Sequence, residues 1–593
     1  MRNNIILKRS IYCLVIILAF FVGLLSFKMV DPAPTDSPAE VFLAANSARH
    51  IKAISSVPHP MGTVENERVR DYIVDELSRL GLTAKVQTTQ VQDYFAKFEE
   101  SRLVDIHNVY IEMPGTDSTG IIALAGHYDT VPAAPGANDD GSAIGTLLET
   151  ARCILAGPPL KNDVLLIFTD AEEPGQFRYG ARYFVDNYEN ISDVRLVLNF
   201  EALGRSGQSV MFEITPGNED LIKALSESTS NPIAFSFMSD LIRLVAPGST
   251  DMIAFEEKGI NGMNFAYALE RTVYHTALDN SESLDERSLQ HHGNYAVDIT
   301  RYFGMRDLNE LTSYKKNDSI FHSFFGNTLL HYPEWSVIPL SIVIGILLFT
   351  LVIIGIRRNK LSLRGIFLST LLFTGELLVI VIITTLAWWG LDEAHLALGK
   401  VVEPTIKAHL LFVAFLVLSF LAMILWRKVL KKKIRELDIY IGPVAFWWMI
   451  TLLFALYLPG FSFIMAWPLF FSLIPLAIIL LSENDSISWK YLLLTSICSF
   501  VIISIVIAPV YLLFEAMGIS SPGFSGSPAF PIIGLSIIFW VTLVSLIYPQ
   551  LIIFVDLGRK RVVFGILSIA LIILVIGILL PGIDTDTLWI HGR

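Results

Sequence analysis

Five short polar clusters carry residue types that could hold a metal ion and move a proton. They are Gly126-His127-Tyr128-Asp129-Thr130, Asn138-Asp139-Asp140-Gly141-Ser142, Asp170-Ala171-Glu172-Glu173, Asn199-Phe200-Glu201 and Tyr274-His275-Thr276. Imidazole and carboxylate groups are among the ligands expected for zinc, and no cysteine ligand is needed. Taken singly, each cluster has an ordinary explanation. A His-x-Asp is commonly a local hydrogen bond, an Asn-Asp-Asp-Gly a turn, and a Glu-Glu pair a solvated face. Taken together they make a ligand set, provided the fold brings separate loops to one place.

The elements between the clusters supply a way to do that. Short, almost continuously apolar runs occur at Ile121 to Ala125, Val164 to Phe168, Leu196 to Phe200 and Met263 to Tyr267. Each leads into or ends on one of the clusters. Apolar runs of that length predict strands buried on both faces. Helical patterns stand beside them: Val69, Ile73, Leu77 and Leu80 share one face that Gly81 can terminate, and further helices are expected at Ala143 to Leu155 and Leu289 to Phe303. Extended residues follow at Ala84 to Val91. The pattern predicts an α/β three-layer sandwich with a mostly parallel or mixed central sheet. In such sheets ligands bind beyond the carboxyl ends of the strands, which is where the clusters fall.

The motifs in this order, His-x-Asp, Asn-Asp-Asp-Gly, Glu-Glu and a late Tyr-His, resemble those of the co-catalytic two-zinc exopeptidases. That family includes bacterial secreted aminopeptidases, glutamate carboxypeptidase, and membrane-bound endoplasmic reticulum and vacuolar metallopeptidases. The resemblance covers about residues 40 to 305. It implies that Asp139 bridges two zinc ions, one also held by His127 and Glu201, the other by Glu173 and His275. It implies Glu172 as general base, Asp129 as hydrogen-bond partner of the His127 imidazole, and Tyr274 as a donor to the oxyanion. The chemistry suits these residue types. Two metal ions polarise a scissile carbonyl and acidify a water, while a free carboxylate takes the proton and delivers it to the leaving amine. Soluble aminopeptidases of the family usually have aspartate where this chain has Glu201; the membrane-anchored relatives have glutamate.

The remainder of the chain is of a different character. Of 593 residues, 53% are hydrophobic and 17% charged, and the apolar excess is concentrated after residue 336. Runs near the roughly 20 residues needed to cross a bilayer are expected at Ile11 to Phe27, Val337 to Ile356, Ile366 to Trp389, Leu410 to Trp426, Ile439 to Tyr457, Phe461 to Leu481, Tyr491 to Phe514, Ile532 to Phe554 and Val562 to Leu580. Alternate loops are basic: Arg357, Arg358, Lys360 and Arg364; Arg427, Lys428, Lys431, Lys432, Lys433 and Arg435; Arg559, Lys560 and Arg561. The Glu483 to Lys490 loop is a weaker case, and Met517 to Phe530 on the other side has almost no basic charge. The positive-inside rule then puts the N-terminus in the cytosol and the zinc domain and C-terminus outside it. The expected divisions are 1–37, a cytosolic tip and signal-anchor span; 38–310, the peptidase domain; 311–336, a linker; 337–581, a membrane domain of about eight helices; and 582–593, an extracytosolic tail.

A net charge of −12 argues against nucleic acid as a partner. The expected partners are peptide substrate and the lipid bilayer. Three cysteines spread over three regions offer no disulfide within a domain, which, with the short tail and compact loops, favours a bacterial plasma membrane over endoplasmic reticulum or vacuole. Asn190-Ile191-Ser192 and Asn317-Asp318-Ser319 match the glycosylation pattern. Asp251 reads as the N-cap of a helix starting near Met252, with pocket lining as the other reading. His59 reads as a packing or hydrogen-bonding residue, His291 and His292 as exposed helical positions, and Trp388, Trp389, Trp426, Trp447 and Trp448 as interfacial. Glu376 and Glu515 read as interhelical or interfacial polar contacts, with a polar cavity as the alternative. The activity expected is that of an aminopeptidase on short peptides. A carboxypeptidase or dipeptidase is the alternative of the same class; an inactive receptor or scaffold and a peptidase-coupled transporter are alternatives of another.

Overall fold

The computed structural model describes residues 2–93, 95, 102–173, 177–311, 317–325, 328–398, 400–401, 406–482, 488–517, 530–554, 560–580 and 583–584. Arg559, most of the loops Glu483 to Lys490 and Met517 to Phe530, and most of the tail 582–593 lie outside the described residues. The chain forms two compact units: one from Phe27 to Pro333, the other from the N-terminal helix α1 (Arg2–Leu24) and the residues from Glu334 onward.

The first unit is a sandwich whose helices are α2 (Ala44–Ile54), α3 (Val64–Arg79), α4 (Gly141–Ala156), α5 (Tyr179–Asn187), α6 (Glu219–Ser228), α7 (Ser236–Val245), α8 (Met252–Glu256) and α9 (Glu286–Gly304). Its sheet has seven strands: β1 (Lys85–Gln92), β2 (Leu103–Met113), β3 (Ile121–His127), β4 (Asp163–Thr169), β5 (Val194–Ala202), β6 (Val210–Ile214) and β7 (Asn261–Tyr267), in the order β1-β2-β4-β3-β5-β7-β6. The central four, β4-β3-β5-β7, are parallel, and these are the four apolar runs. The outer strands β1, β2 and β6 pair antiparallel, so the sheet is mixed.

Alternation along β3 explains the three layers. Ile122 and Leu124 point to one side, where they join a core with Ile144 and Leu147 of α4 and Ile299 of α9. Ile121, Ala123 and Ala125 point to the other, against Phe184 of α5 and Phe255 of α8. A strand buried on both faces needs apolar residues at every position, which is why its sequence lacks a polar alternation. Each fully buried leucine or phenylalanine contributes about 1.5–3 kcal/mol, so the two cores hold the strands in register. That register sets His127 beside Thr169, and therefore sets the loop after β3 beside the loop after β4. A hairpin of β8 (Ser319–Phe324) and β9 (Thr328–Pro333) completes the unit.

The second unit contains α10 (Val337–Arg357), α11 (Leu363–Leu396), α12 (Ile406–Leu430), α13 (Glu436–Tyr457), α14 (Ser462–Leu481), α15 (Trp489–Met517), α16 (Phe530–Phe554) and α17 (Lys560–Leu579). With α1, nine helices among the described residues are long and apolar enough to cross a membrane, and each of the nine expected runs falls on one of them. Prolines stand inside α13, α14, α15 and α16, as spanning helices tolerate when neighbours meet the freed backbone groups.

Two expectations about side chains in this unit need correction: Arg427, expected in a basic loop, is buried in the last turn of α12, and two of the tryptophans do not lie at an interface. Trp388 and Trp447 are packed inside the bundle rather than set in a belt; the Trp447 indole donates to Ser545 Oγ at 2.9 Å. A serine on the facing helix thus satisfies the polar edge of the ring without an interface. Glu515, near the end of α15, meets His409 of α12 in an ion pair, in line with an interhelical polar contact.

Candidate metal centre

Each candidate ligand stands at or just beyond the carboxyl end of a parallel strand or at the start of a helix. His127 is the last residue of β3, Glu201 is in the last turn of β5's pleat, and Glu173 follows β4 by four residues. His275 lies on the loop after β7, and Asp139 immediately precedes Asp140, the N-cap of α4, whose carboxylate accepts from the Ala143 amide at 3.2 Å. The peptide between Asp139 and Asp140 is cis. Close backbone approach is needed here: a Cβ on Gly126 would stand 2.4 Å from Ala143 Cβ, so only glycine lets α4 start this near β3.

The five side chains meet. Asp139 Oδ1 is 3.5 Å from His127 Nε2, and its other oxygen, Oδ2, is 3.1 Å from His275 Nε2. Glu201 Oε2 is 3.7 Å from His127 Nε2, and Glu173 Oε2 is 3.1 Å from His275 Nε2. His127, Asp139 and Glu201 make one group, and Asp139, Glu173 and His275 a second; within each, one donor atom per residue lies within 4.8 Å of the others. Donors about 2.1 Å from a tetrahedral zinc are roughly 3.4 Å apart, so both groups have the spacing such an ion requires. Asp139 Oδ2, Glu173 Oε1 and His275 Nε2 are buried without a hydrogen-bond partner, as expected of atoms whose partner is a cation.

The surroundings orient these groups. Asn199 donates to Glu201 Oε1 at 3.0 Å. His127 Nδ1 is 3.0 Å from the carbonyl oxygen of Asp129 and 3.5 Å from its carboxylate. The Asp129 side chain therefore stands beside the imidazole, with the Asp129 backbone carbonyl as the closer acceptor. The Asp129 carboxylate is already engaged, accepting from the amides of Glu172 and Glu173 at 2.9 and 3.1 Å. Asp129 thus holds the loop that carries both glutamates. Ala171 (φ 60°) and His275 (φ 59°) are in the left-handed region, an uncommon state for residues with a Cβ.

Two further residues, Arg178 and Asp279, belong to the site without having been legible in the sequence, and Asp251 joins them in the role that was its second reading there. Arg178 is buried and braces Glu172 twice, with Nε 3.0 Å from the Oε1 carboxylate oxygen and Nη1 donating at 3.0 Å to the Glu172 carbonyl. Asp279 holds the Asp139 loop: one oxygen accepts from the Asn138 amide and side chain at 2.7 and 2.8 Å, the other from the Asp139 amide at 3.1 Å. Asp251 occupies the N-cap position of α8 but makes no cap bond, which corrects that expectation; Thr169 donates to it instead. No spacing rule distinguishes a buried arginine or aspartate from a surface one, and only the folded loops show the difference.

Tyr274 stacks on the His275 ring, with centroids 3.8 Å apart and planes 18° apart. His59 is buried and bonded to the Val57 carbonyl at 3.0 Å, a packing role as expected. His291 and His292, expected on an exposed face, are buried in α9, the former between the Ser209 amide and the Asn231 carbonyl.

Electrostatically, the centre is a concentration of buried acids. Burial pushes Glu201 up to about 8, with Asp139 adding to it against the pull of His127. Burial pushes Glu172 well above the usual carboxylate range, against Arg178 and His127. Burial would lower His275, but Glu173 and Asp139 outweigh it and hold the imidazolium up at about 10. Asp139 lies below the usual range because the two histidines outweigh its burial. So many carboxylates in a low-dielectric pocket call for positive charge.

The model of Peptidase family M28 matches residues 108–300, which span the region from β2 through most of α9. Among curated proteins, the chain is 26% identical over 318 residues to "Endoplasmic reticulum metallopeptidase 1" of Rattus norvegicus, a match covering 51% of this chain and 35% of that protein. It is 26% identical over 282 residues to "Vacuolar membrane protease" of Candida dubliniensis, covering 46% of this chain and 30% of that one. The matches thus span about a third of the length of those relatives, and neither name is that of a bacterial plasma-membrane protein. Among solved structures, "Aminopeptidase from Aneurinibacillus sp. strain AM-1" is 14% identical with a TM-score of 0.37, covering 48% of this chain and 96% of that chain.

Proposed function

We propose, from the premise that this chain carries a peptidase family M28 domain over residues 108–300, that it is a membrane-anchored, zinc-dependent exopeptidase, an aminopeptidase acting on short peptides. In this reading residues 38–310 are the peptidase domain and hold two zinc ions, one at His127, Asp139 and Glu201, the other at Asp139, Glu173 and His275. The observation that carries it is the division of Asp139: its two oxygens face different histidines, each with a glutamate alongside. A carboxylate in that position is suited to bridge two cations.

When bound, the two ions supply Lewis acidity to the scissile carbonyl and acidify the attacking water. The chain's own residues do the remainder. Glu172 Oε2 lies 3.9 Å from His127 Nε2, beside the first ligand group and a member of neither, so it is free to take the proton of the attacking water and hand it to the leaving amine. Arg178 fixes the opposite oxygen of Glu172, keeping Oε2 turned to the reaction. Asp129 holds the Glu172 and Glu173 amides, so one glutamate faces metal while its neighbour faces water. Tyr274, which stacks on His275, would donate to the carbonyl oxygen as negative charge develops there; its place next to a ligand supports that role.

The names of the relatives support a membrane setting, and the basic loops support an N-terminus in the cytosol with the peptidase domain and C-terminus on the other side. The test is a digest of unblocked, N-acetylated and C-amidated short peptides by the full-length protein with and without chelator. Release of N-terminal residues from unblocked and C-amidated peptides, lost with chelator, is the expected result. Cleavage of N-acetylated peptides from the C-terminus would make it a carboxypeptidase, and no cleavage of any would favour an inactive scaffold.

A further inference from the structure

Three polar side chains stand in a row inside the otherwise apolar sheet of the first unit. Asn199 of β5 is opposite Asn264 of β7, and Asn264 is opposite Glu213 of β6, so the row crosses three neighbouring strands in register. All three are buried. The pairing of β6 with β7 shifts by one residue between Met211 and Glu213, and that irregularity brings Glu213 opposite Asn264. The apolar residues to either side, Met263 and Phe265 in β7 and Leu198 and Phe200 in β5, turn to the other face of the sheet and join the core with α4 and α9.

Polar groups are costly in such a place unless they are matched, and here the matching has a direction. Asn264 donates through Nδ2 to Glu213 Oε2 at 3.1 Å and to Thr250 Oγ1 at 2.7 Å, and accepts at Oδ1 from Asn199 Nδ2 at 3.1 Å. Asn199 Nδ2 also donates to Glu201 Oε1 at 3.0 Å. A carboxylate only accepts, so Glu213 requires the amino side of Asn264 to face it. The oxygen of Asn264 then faces Asn199, which must present its own amino group, and that same group meets Glu201. Held at Oε1, Glu201 has Oε2 left for the metal centre, 3.7 Å from His127 Nε2. We propose that Glu213 is a positioning residue for the metal centre: by setting the orientation of two asparagine amides, it gives Glu201 a donor at one oxygen and leaves the other for the ion shared with His127 and Asp139. Glu213 acts from two strands away, over two spacings of about 4.8 Å.

The inference rests on the two-ion part of the proposed function and extends it to a residue outside both ligand groups. Glu213→Gln is the informative variant, because it keeps size and burial but adds a donor. Asn264 is then free to turn over, Asn199 with it, and an amide oxygen in place of the amino group would face Glu201 Oε1. The test is the zinc affinity of the full-length protein in lipid nanodiscs, measured by competition with a chromogenic chelator in two backgrounds. Glu173→Ala keeps the ion at His127, Asp139 and Glu201, and Glu201→Ala keeps the other. Adding Glu213→Gln is expected to weaken binding about tenfold or more in the first background and less than about twofold in the second, with no fall in the melting temperature of the zinc-free protein. A merely structural role would weaken both ions alike and lower that temperature, and this result overturns the proposal. So does unchanged affinity in both backgrounds. Asn264→Leu cuts the row at its middle and is expected to weaken the same ion; if Glu213→Gln does not fold, that variant decides by the same criteria. A wild type that binds no zinc would defeat the two-ion reading and this proposal together, whereas two ions held by Glu213→Gln with wild-type affinity would defeat this proposal alone. Peptide hydrolysis is assayed separately, so the expected zinc pattern without cleavage would count against the exopeptidase reading and leave this one standing.

Discussion

At the scale of single residues, the groups proposed to hold metal are distinct from those proposed to move or position a proton. Replacing Glu172 by Gln keeps the shape and removes the base, so hydrolysis is expected to fall by about 10²–10⁴-fold while zinc content is unchanged. Loss of zinc in that variant would show Glu172 to be a ligand instead. Arg178 acts through Glu172, which it holds at both the carboxylate and the carbonyl. Arg178→Gln is expected to lower kcat by roughly tenfold or more with a small change in KM, because a misplaced base costs rate rather than binding. A change confined to KM would place Arg178 in substrate recognition. His127, Asp139, Glu173, Glu201 and His275 could be picked out in the sequence because their types are rare among apolar runs and their order resembles a family. Arg178 and Asp279 could not, because their importance comes from burial and partners contributed by distant loops.

At the scale of elements, the central strands were legible because burial on both faces forces continuous apolar sequence, as in Ile121 to Ala125. The strand Leu103–Met113 carries a mixed sequence, Asp105, His107 and Asn108 among apolar residues, and it was found only by its pairing with β1 and β4. Burial of the α9 histidines was likewise hidden, since their partners Ser209 and Asn231 come from elsewhere in the chain. That burial has a consequence for pH. Desolvation lowers His291 and, in β8, His322 to about 4, from an ordinary 6.5. Between those values the unfolded chain binds more protons than the folded one, so their stabilising contribution is full above pH 6.5 and is lost as pH falls towards 4. The expected loss is up to about 3 kcal/mol per histidine, read as a falling melting temperature of the full-length protein and flattened in His291→Gln. An unchanged pH profile in that variant would contradict the burial. The loop before α4 gives a second test. Gly136 has φ +68°, and an added Cβ would stand 2.3 Å from Thr130 Cγ2 and 2.7 Å from the Asp139 carbonyl. Gly136→Ala should therefore displace Asp139 and weaken zinc binding at least tenfold, a change readable by competition with a chromogenic chelator; wild-type affinity would show the loop to be compliant.

At the scale of the whole molecule, the two units answer to different solvents, which is why their sequences differ so sharply across residue 336. The apolar runs of the membrane unit were legible by length and composition, whereas the inward setting of Trp388 and Trp447 was not, because an indole with a serine partner inside a bundle looks the same in sequence as one at an interface. The proposed orientation puts Asn190 on the extracytosolic side, where it is exposed. Synthesis in the presence of microsomes should then add a glycan that Asn190→Gln removes; a protein left unmodified with its peptidase unit open to added protease would reverse the orientation.

The central claim is that one aspartate serves two metal ions, and elemental analysis of zinc in the purified full-length protein and its ligand variants tests it most directly. Two zinc ions per chain are predicted for the wild type, about one for either Glu201→Ala or Glu173→Ala, and fewer than one for Asp139→Ala. A wild type holding a single ion, or an Asp139→Ala protein that folds and still retains two, would contradict the account.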